Sequence, residues 1–207
     1  MVISYFGLAM VKLQAGDIVV ALNPIGKGSA AKAARFGADL ALVSLNHPDT
    51  NGVAEVTYGE KTPFIIDGPG EYEASGLFVE GLASTGPKGL VNTIYALNFD
   101  GMKVVHLGAL ASADLPAATI EELDTIDILF VPIGGQALAP KDAAKLAASL
   151  EPKIIIPLAL NGDKSEETLK QFLKEAGSKN QTPVDKLTLR RKELDGKEGE
   201  VVILNHD

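Results

Sequence analysis

An imidazole and a carboxylate, two groups that could bind a metal or transfer a proton, lie close together in the segment SLNHPDTN at residues 44–51. Its imidazole and carboxylate belong to His47 and Asp49. A catalytic zinc ion takes three protein ligands and keeps one coordination position for water. Because two side chains do not complete that set, we expect His47 and Asp49 to be hydrogen-bonded parts of a loop. A weak metal site completed by His106 is the alternative.

The composition removes several other kinds of chemistry. The 207-residue chain has no cysteine, which excludes disulfides, thiolate metal ligands and cysteine nucleophiles. Its formal net charge of −8 opposes binding to nucleic acid, where Lys and Arg supply most of the affinity. No apolar run approaches the ~18 residues of a membrane span, and no basic segment precedes an apolar one as in a secretory signal. We therefore expect no nucleic-acid or membrane partner and a cytoplasmic location.

Short apolar runs alternate with helical stretches, which indicates an α/β layered fold. We expect one domain over residues 1–207, since a chain of this length buries about 70% of its unfolded surface. Asp100 and Gly101 separate two strand-like runs, as in a tight hairpin. The predicted strands cover residues 3–6, 18–22, 40–44, 64–66, 77–81, 93–99, 103–106, 128–131, 153–156 and 200–204. The predicted helices cover residues 29–36, 116–123, 140–150 and 164–176.

Several short segments recur in the order found in metallo-β-lactamase-fold proteins. They are GPGEY at 68–72, NTIY at 92–95, HLGA at 106–109, VPIGG at 131–135 and IIPLA at 155–159. With residues 44–51, they make the chain resemble the small single-domain, lactonase-like branch of that superfamily. The resemblance implies a four-layer αββα sandwich, with two mixed β-sheets flanked by helices. The active relatives in this branch are Zn-dependent hydrolases.

The same resemblance implies that most metal ligands are missing. The family pattern at the first motif is His-x-His-x-Asp-His, in which His47 and Asp49 keep ligand positions. The lost ligand positions are Leu45, Thr50, Ala109 and Ala159. A further histidine expected before residue 92 has no counterpart in residues 81–91.

The replacements are consistent with one another. Aspartates left at positions 23 and 109 without a dication would be buried and unpaired, at a cost of several kcal/mol. Asn23 and Ala109 avoid that cost, and Leu8 stands where the family has a histidine. We therefore expect a metal-free cleft. Its expected lining residues are Leu8, Asn23, Asn46 and His106.

Three functional hypotheses follow. The first is a catalytically degenerate protein that binds a small molecule or a protein, with no catalytic residue, metal or cofactor. The second is a hydrolase of esters, lactones or phosphoesters that uses weakly bound zinc at a remnant or relocated site. The third is an inactive subunit that assembles with an active homologue. Homo-oligomerisation through an exposed apolar face is compatible with all three.

Overall fold

The computed structural model of the protein describes residues 1–160, 162, 165–178 and 181–206. This part of the chain forms two β-sheets and three α-helices. The strands are β1 (Val2–Tyr5), β2 (Val11–Ala15), β3 (Ile18–Leu22), β4 (Leu40–Leu42), β5 (Phe64–Ile66), β6 (Gly70–Ala74), β7 (Leu77–Thr85), β8 (Val91–Phe99), β9 (Met102–His106), β10 (Ile128–Ile133), β11 (Ile154–Ala159), β12 (Lys186–Thr188) and β13 (Glu200–Val201). The helices are α1 (Ala117–Glu122), α2 (Pro140–Ser149) and α3 (Ser165–Glu175).

Both sheets are mixed. The first has the order β12-β1-β2-β3-β4-β5, antiparallel from β12 to β3 and parallel from β3 to β5. The second has the order β13-β11-β10-β9-β8-β7-β6, parallel from β13 to β9 and antiparallel from β9 to β6. The predicted hairpin between β8 and β9 is confirmed, with φ of 53° at Asp100 and 73° at Gly101.

The inner faces of the sheets pack against each other through buried side chains such as Ile3, Leu13 and Phe130. The outer face of the second sheet packs against the helices, where Phe172 of α3 is fully buried. The outer face of the first sheet is covered by loop residues that include Phe36. This is the predicted α/β sandwich of two mixed sheets, with irregular chain lying outside the first sheet.

The helix predicted over residues 29–36 is wrong, since this segment has no regular structure. Its alanines favour a helix by propensity, but tertiary contacts fix it elsewhere. Ser29 Oγ donates to Asp49 Oδ1 at 2.5 Å. Arg35 Nε donates to the buried Glu55 at 2.9 Å. Hydrogen bonds near both ends therefore hold this irregular segment against the first sheet.

The other three predicted helices are confirmed within one or two residues, although Lys164, the predicted start of the last, lies outside the described residues. Strands β2, β6 and β12 lie outside the predicted set. Strand β6 is an edge strand with exposed Glu71 and Glu73, so it lacks the apolar run that marks a buried strand. Within the part of the chain that the structure describes, no helix has the length and apolarity needed to cross a membrane.

Gly52 permits close packing between the loop after β4 and the loop after β3. A Cβ at this position would lie 2.3 Å from the carbonyl carbon of Ile25 and 2.4 Å from the amide nitrogen of Gly26. Its φ of −110° is accessible to any residue, so the obstacle is the clash with backbone. We expect Gly52→Ala to lower the free energy of unfolding in urea by about 2–3 kcal/mol.

Gly68 provides the matched control, because a Cβ there would have no neighbour within 4 Å. Gly68→Ala should change the free energy of unfolding by no more than about 0.5 kcal/mol. Equal losses in the two variants would contradict this packing.

Candidate functional site

A cavity of about 240 Å³ lies where the loops following β1, β4, β7, β9, β10 and β11 meet. Strands β4, β9, β10 and β11 all lead into it with their carboxyl ends, so both sheets contribute to one site. Aliphatic side chains form much of its wall, including Leu45, Leu90 and Leu160. The cavity is therefore mainly apolar, with a few polar groups around it.

The structure brings most of the predicted site residues to this cavity. Those that line it are Leu8, Leu45, His47, Asp49, Thr50 and Ala109. Ala159 ends β11 directly before Leu160, which also contributes to the wall. Three residues expected in the lining are absent from it: Asn23, Asn46 and His106. The first and last of these are buried side chains that support the surrounding loops, and Asn46 is exposed.

His47 and Asp49 are held by hydrogen bonds of their own turn. His47 Nδ1 accepts from the backbone N–H of Asp49 at 3.2 Å and lies 3.5 Å from Asp49 Oδ2. Because Nδ1 is an acceptor, the neutral ring carries its proton on Nε2. The other carboxylate oxygen, Asp49 Oδ1, accepts from Ser29 Oγ at 2.5 Å.

Two of the lost ligand positions are joined to each other in the same turn. Thr50 Oγ1 donates to the carbonyl oxygen of Leu45 at 2.5 Å. The backbone N–H groups of Thr50 and Asn51 both donate to the carbonyl oxygen of His47, at 2.9 and 2.8 Å. Asn51 Nδ2 also donates to Asn46 Oδ1 at 2.9 Å, which explains why Asn46 belongs to the outside of the turn.

Ser29, Asp49 and His47 have the residue types of a nucleophilic triad in an unsuitable order. In a working triad the imidazole accepts the hydroxyl proton and the carboxylate orients the imidazole. Here the Ser29 hydroxyl donates directly to the carboxylate of Asp49. The arrangement therefore fixes the loop at residues 29–31 without activating the serine for attack.

The residues present do not fit the zinc centre implied by the resemblance. In the described ranges, no group of three or more His, Asp and Glu side chains lies together in a way that could hold a metal ion. The remaining pair, His47 and Asp49, uses Nδ1 and Oδ1 in hydrogen bonds to the protein. A catalytic zinc ion needs one more protein ligand than this pair offers, even if both were freed.

His106 lies in the core and hydrogen-bonds two loops that contribute residues to the cavity. Its side chain is 1% exposed, and its Nδ1 accepts from the backbone N–H of Gly108 at 2.9 Å. Nε2 therefore carries the proton and donates to the carbonyl oxygen of Ala9 at 3.0 Å. Burial lowers the pKa of His106 from 6.5 to about 4, so the ring is neutral at physiological pH. It joins the end of β9 to the first loop.

Two buried asparagines hold the loops around the cavity. Asn23 Oδ1 accepts from the backbone N–H of Ser44 at 2.8 Å. Asn92 Nδ2 donates to the carbonyl oxygen of Leu107 at 3.0 Å, and its Oδ1 accepts from the backbone N–H of Ala109 at 2.7 Å. Within the described residues, Asn23 Nδ2 and Ser44 Oγ are buried without a hydrogen-bond partner.

Sequence reasoning missed several residues that line the cavity. They are Ala9, Pro87, Lys88, Leu90, Gly135, Gln136, Ala137 and Leu160. The pattern GPKGL at residues 86–90 indicates a turn, but nothing in it marks Lys88 as a site residue. The available signal is that the pattern ends one residue before the NTIY segment, so this turn leads directly into β8.

The fold is similar to those of solved metallohydrolases. A protein from Thermotoga maritima, assigned as a Zn-dependent hydrolase of the metallo-β-lactamase superfamily, has a TM-score of 0.81 and 28% identity, covering 100% of this chain and 99% of that one. One from Parabacteroides distasonis, assigned as a metal-dependent hydrolase, has a TM-score of 0.69 and 18% identity, covering 99% and 93%. Igni18, a metallo hydrolase from Ignicoccus hospitalis, has a TM-score of 0.65 and 16% identity, covering 91% and 99%.

A sequence-based comparison agrees with this class. The family model described as "Beta-lactamase superfamily domain" matches residues 2–159. The chain therefore belongs to the β-lactamase superfamily domain family, and the predicted resemblance to metallo-β-lactamase-fold proteins is confirmed. A search of curated protein sequences finds no match.

The depressed pKa of His106 predicts a loss of stability in acid. The folded-state pKa of about 4 lies below the ordinary value of 6.5, so the unfolded chain binds this proton more readily between those pH values. The stabilising contribution is complete above pH 6.5 and is lost as the pH falls towards 4. It amounts to about 3 kcal/mol at most.

Urea unfolding of the native chain and of His106→Gln at pH 7, 5.5 and 4 would isolate this contribution. His106→Gln should have a lower free energy of unfolding than the native chain at pH 7. Between pH 7 and pH 4, this free energy should fall by about 3 kcal/mol less in the variant than in the native chain. If His106→Gln kept the pH dependence of the native chain, His106 would not be the source of the loss of stability in acid.

Proposed function

We propose that this chain is a catalytically degenerate member of its family that binds a small molecule in the cavity without a metal ion. The observation that carries the proposal is the chemistry of the wall. At positions where the resemblance places metal ligands, Leu45 and Ala109 present hydrocarbon and Thr50 is hydrogen-bonded within the loop. The cavity persists although the set of metal ligands does not.

The chemistry needed for hydrolysis has no evident source in this site. A metallohydrolase uses its ion to lower the pKa of a bound water to about 7 and to polarise the substrate. A metal-free hydrolase would need a general base within reach of a water or nucleophile. Both ring nitrogens of His106 are occupied, His47 Nδ1 accepts from the Asp49 amide, and Asp49 Oδ1 accepts from Ser29. These contacts support binding rather than turnover.

The open cavity supports a ligand-binding role over a purely structural one. Small-molecule sites are typically concave and mostly apolar, with a few polar groups that fix orientation. Ala109 is small and its side chain borders the cavity, so a larger aliphatic residue there would reduce the space. A small side chain therefore occupies a buried position where a fully packed apolar core would favour a larger one.

For partners and location, we propose a small-molecule ligand, no cofactor, no nucleic-acid partner and a cytoplasmic protein. The net charge of −8 and the lack of cysteine support the last two points. The weak-zinc hydrolase requires ligands to leave their present hydrogen bonds, and it has less support.

A fragment screen monitored by ¹H–¹⁵N NMR would test the proposal. We expect some small apolar fragments to shift the amide signals of Leu8, Leu45 and Ala109, equally with and without a chelator. Ala109→Leu should abolish these shifts by filling the cavity. Ala118→Leu, which places the same change on the exposed side of α1, should retain them.

Parallel assays on ester, lactone and phosphoester substrates, with zinc supplied, complete this test. The proposal predicts no turnover above the uncatalysed rate. Turnover that zinc restores and a chelator removes would contradict it. A screen in which no fragment reaches the cavity would also contradict the binding role.

A further inference from the structure

We propose that the ligand of this cavity is a small apolar monocarboxylate, held by its charge near Lys88 and by its hydrocarbon part against the leucines. This inference rests on the proposed binding function and specifies its ligand. Three features of the described residues carry it: a cation in the lining without a protein partner, a hairpin turn that places this cation there, and an apolar surface that continues out of the cavity.

Lys88 is the cation of the lining, and its charge is available to a ligand. It makes no hydrogen bond or ion pair with any residue in the described part of the chain. Of the two carboxylate oxygens of Asp49, one accepts from Ser29 and the other lies 3.5 Å from His47 Nδ1. The cationic charge that an incoming ligand meets is therefore that of Lys88, which favours an anionic oxygen ligand.

The backbone at Lys88 is unusual for a lysine. Its φ of 56° and ψ of 24° lie in the left-handed region, which residues other than glycine rarely adopt. The turn that imposes this conformation is closed by hydrogen bonds from Gly86 N to Leu90 O at 2.8 Å and from Leu90 N to Pro87 O at 3.1 Å.

A second non-glycine residue of the lining, Leu8, is also left-handed, with a φ of 48°. The conformation of Lys88 belongs to the hairpin between β7 and β8, since Ser75 and Asp100 adopt a similar φ in the other two hairpin turns of this sheet. This turn places the cation of Lys88 at the cavity that the apolar Leu8 also lines.

The apolar part of the ligand has a defined place. The wall formed by leucines continues outwards through Leu90, which is 51% exposed, and its neighbour Val91, which is 64% exposed. At ~30 Å³ for each water molecule, a cavity of about 240 Å³ has the volume of roughly eight waters. A short-chain carboxylate such as hexanoate suits a space of this order, and longer chains would extend over Leu90 and Val91.

The charge of the lining favours one negative charge over two. Lys88 is the single Lys or Arg among the described lining residues, and Asp49 is close enough to line the same space. A doubly charged phosphate would be opposed by Asp49 and by the net charge of −8. A carboxylate with a hydrocarbon chain satisfies both parts of the site.

NMR titrations with acetate, hexanoate and hexanamide would test this assignment. Hexanamide has the shape of hexanoate without its charge. We expect hexanoate to shift cavity amide signals and to bind about three- to fivefold more tightly than hexanamide, the effect of one partly exposed ion pair. Acetate, which lacks the hydrocarbon chain, should bind more weakly than either.

Variants at Lys88 separate charge from shape. Lys88→Gln should remove the preference for hexanoate and leave hexanamide binding within about twofold, whereas Lys88→Arg should keep the preference. Lys145→Gln, an exposed position on α2, should behave as the native chain. The amide spectrum of each variant reports whether it is folded.

The possible outcomes distinguish this inference from the proposed function. Equal binding of hexanoate and hexanamide, unaffected by Lys88→Gln, would overturn the assignment of the ligand as a carboxylate. The proposed metal-independent apolar site would then remain. Failure of both compounds to move cavity signals would also overturn it, and the proposed function would then depend on the fragment screen. Failure of that screen as well would overturn both.

Discussion

Hydrogen bonds from β8 to the loops around the cavity are the constraint on which the site depends. The buried hydroxyl of Tyr95 lies 2.8 Å from the carbonyl oxygen of Val43 and 3.0 Å from that of Ile66, so it joins the second sheet to the first. Close by, the Thr93 amide donates to the carbonyl oxygen of Ser44 at 2.9 Å. Groups of the protein itself therefore hold the loop of His47 against the opposite sheet.

This anchoring explains how the site can keep its shape without a metal ion, as the proposed function requires. In a metal-containing relative the ion would itself cross-link loops from both sheets. Here the side chain of Asn92, on β8, hydrogen-bonds the backbone of the loop after β9. The side chain of Asn23 hydrogen-bonds the backbone at the start of the loop after β4. Leu45 and Ala109 can then be apolar without loosening the loops that carry them. Loops that are fixed in this way around an apolar cavity are suited to binding a small molecule.

The sequence was most informative where a pattern has a single physical explanation. The hairpin at Asp100 and Gly101 follows from turn chemistry, and α2 follows from its apolar spacing. The alanine-rich residues 29–36 were misjudged because their path is set by contacts that are distant in sequence, such as Arg35 with Glu55.

The site was predictable in part for a similar reason. The motif frame located the loop of His47, while the placement of Lys88 depends on a turn whose direction the sequence does not reveal. His106 was expected in the cleft, but hydrogen bonds to two backbone groups keep it in the core.

Elemental analysis of the purified protein, before and after incubation with excess zinc and desalting, tests whether this site binds a metal. We expect near-zero metal per chain in both samples. One tightly retained ion per chain would overturn the metal-free site.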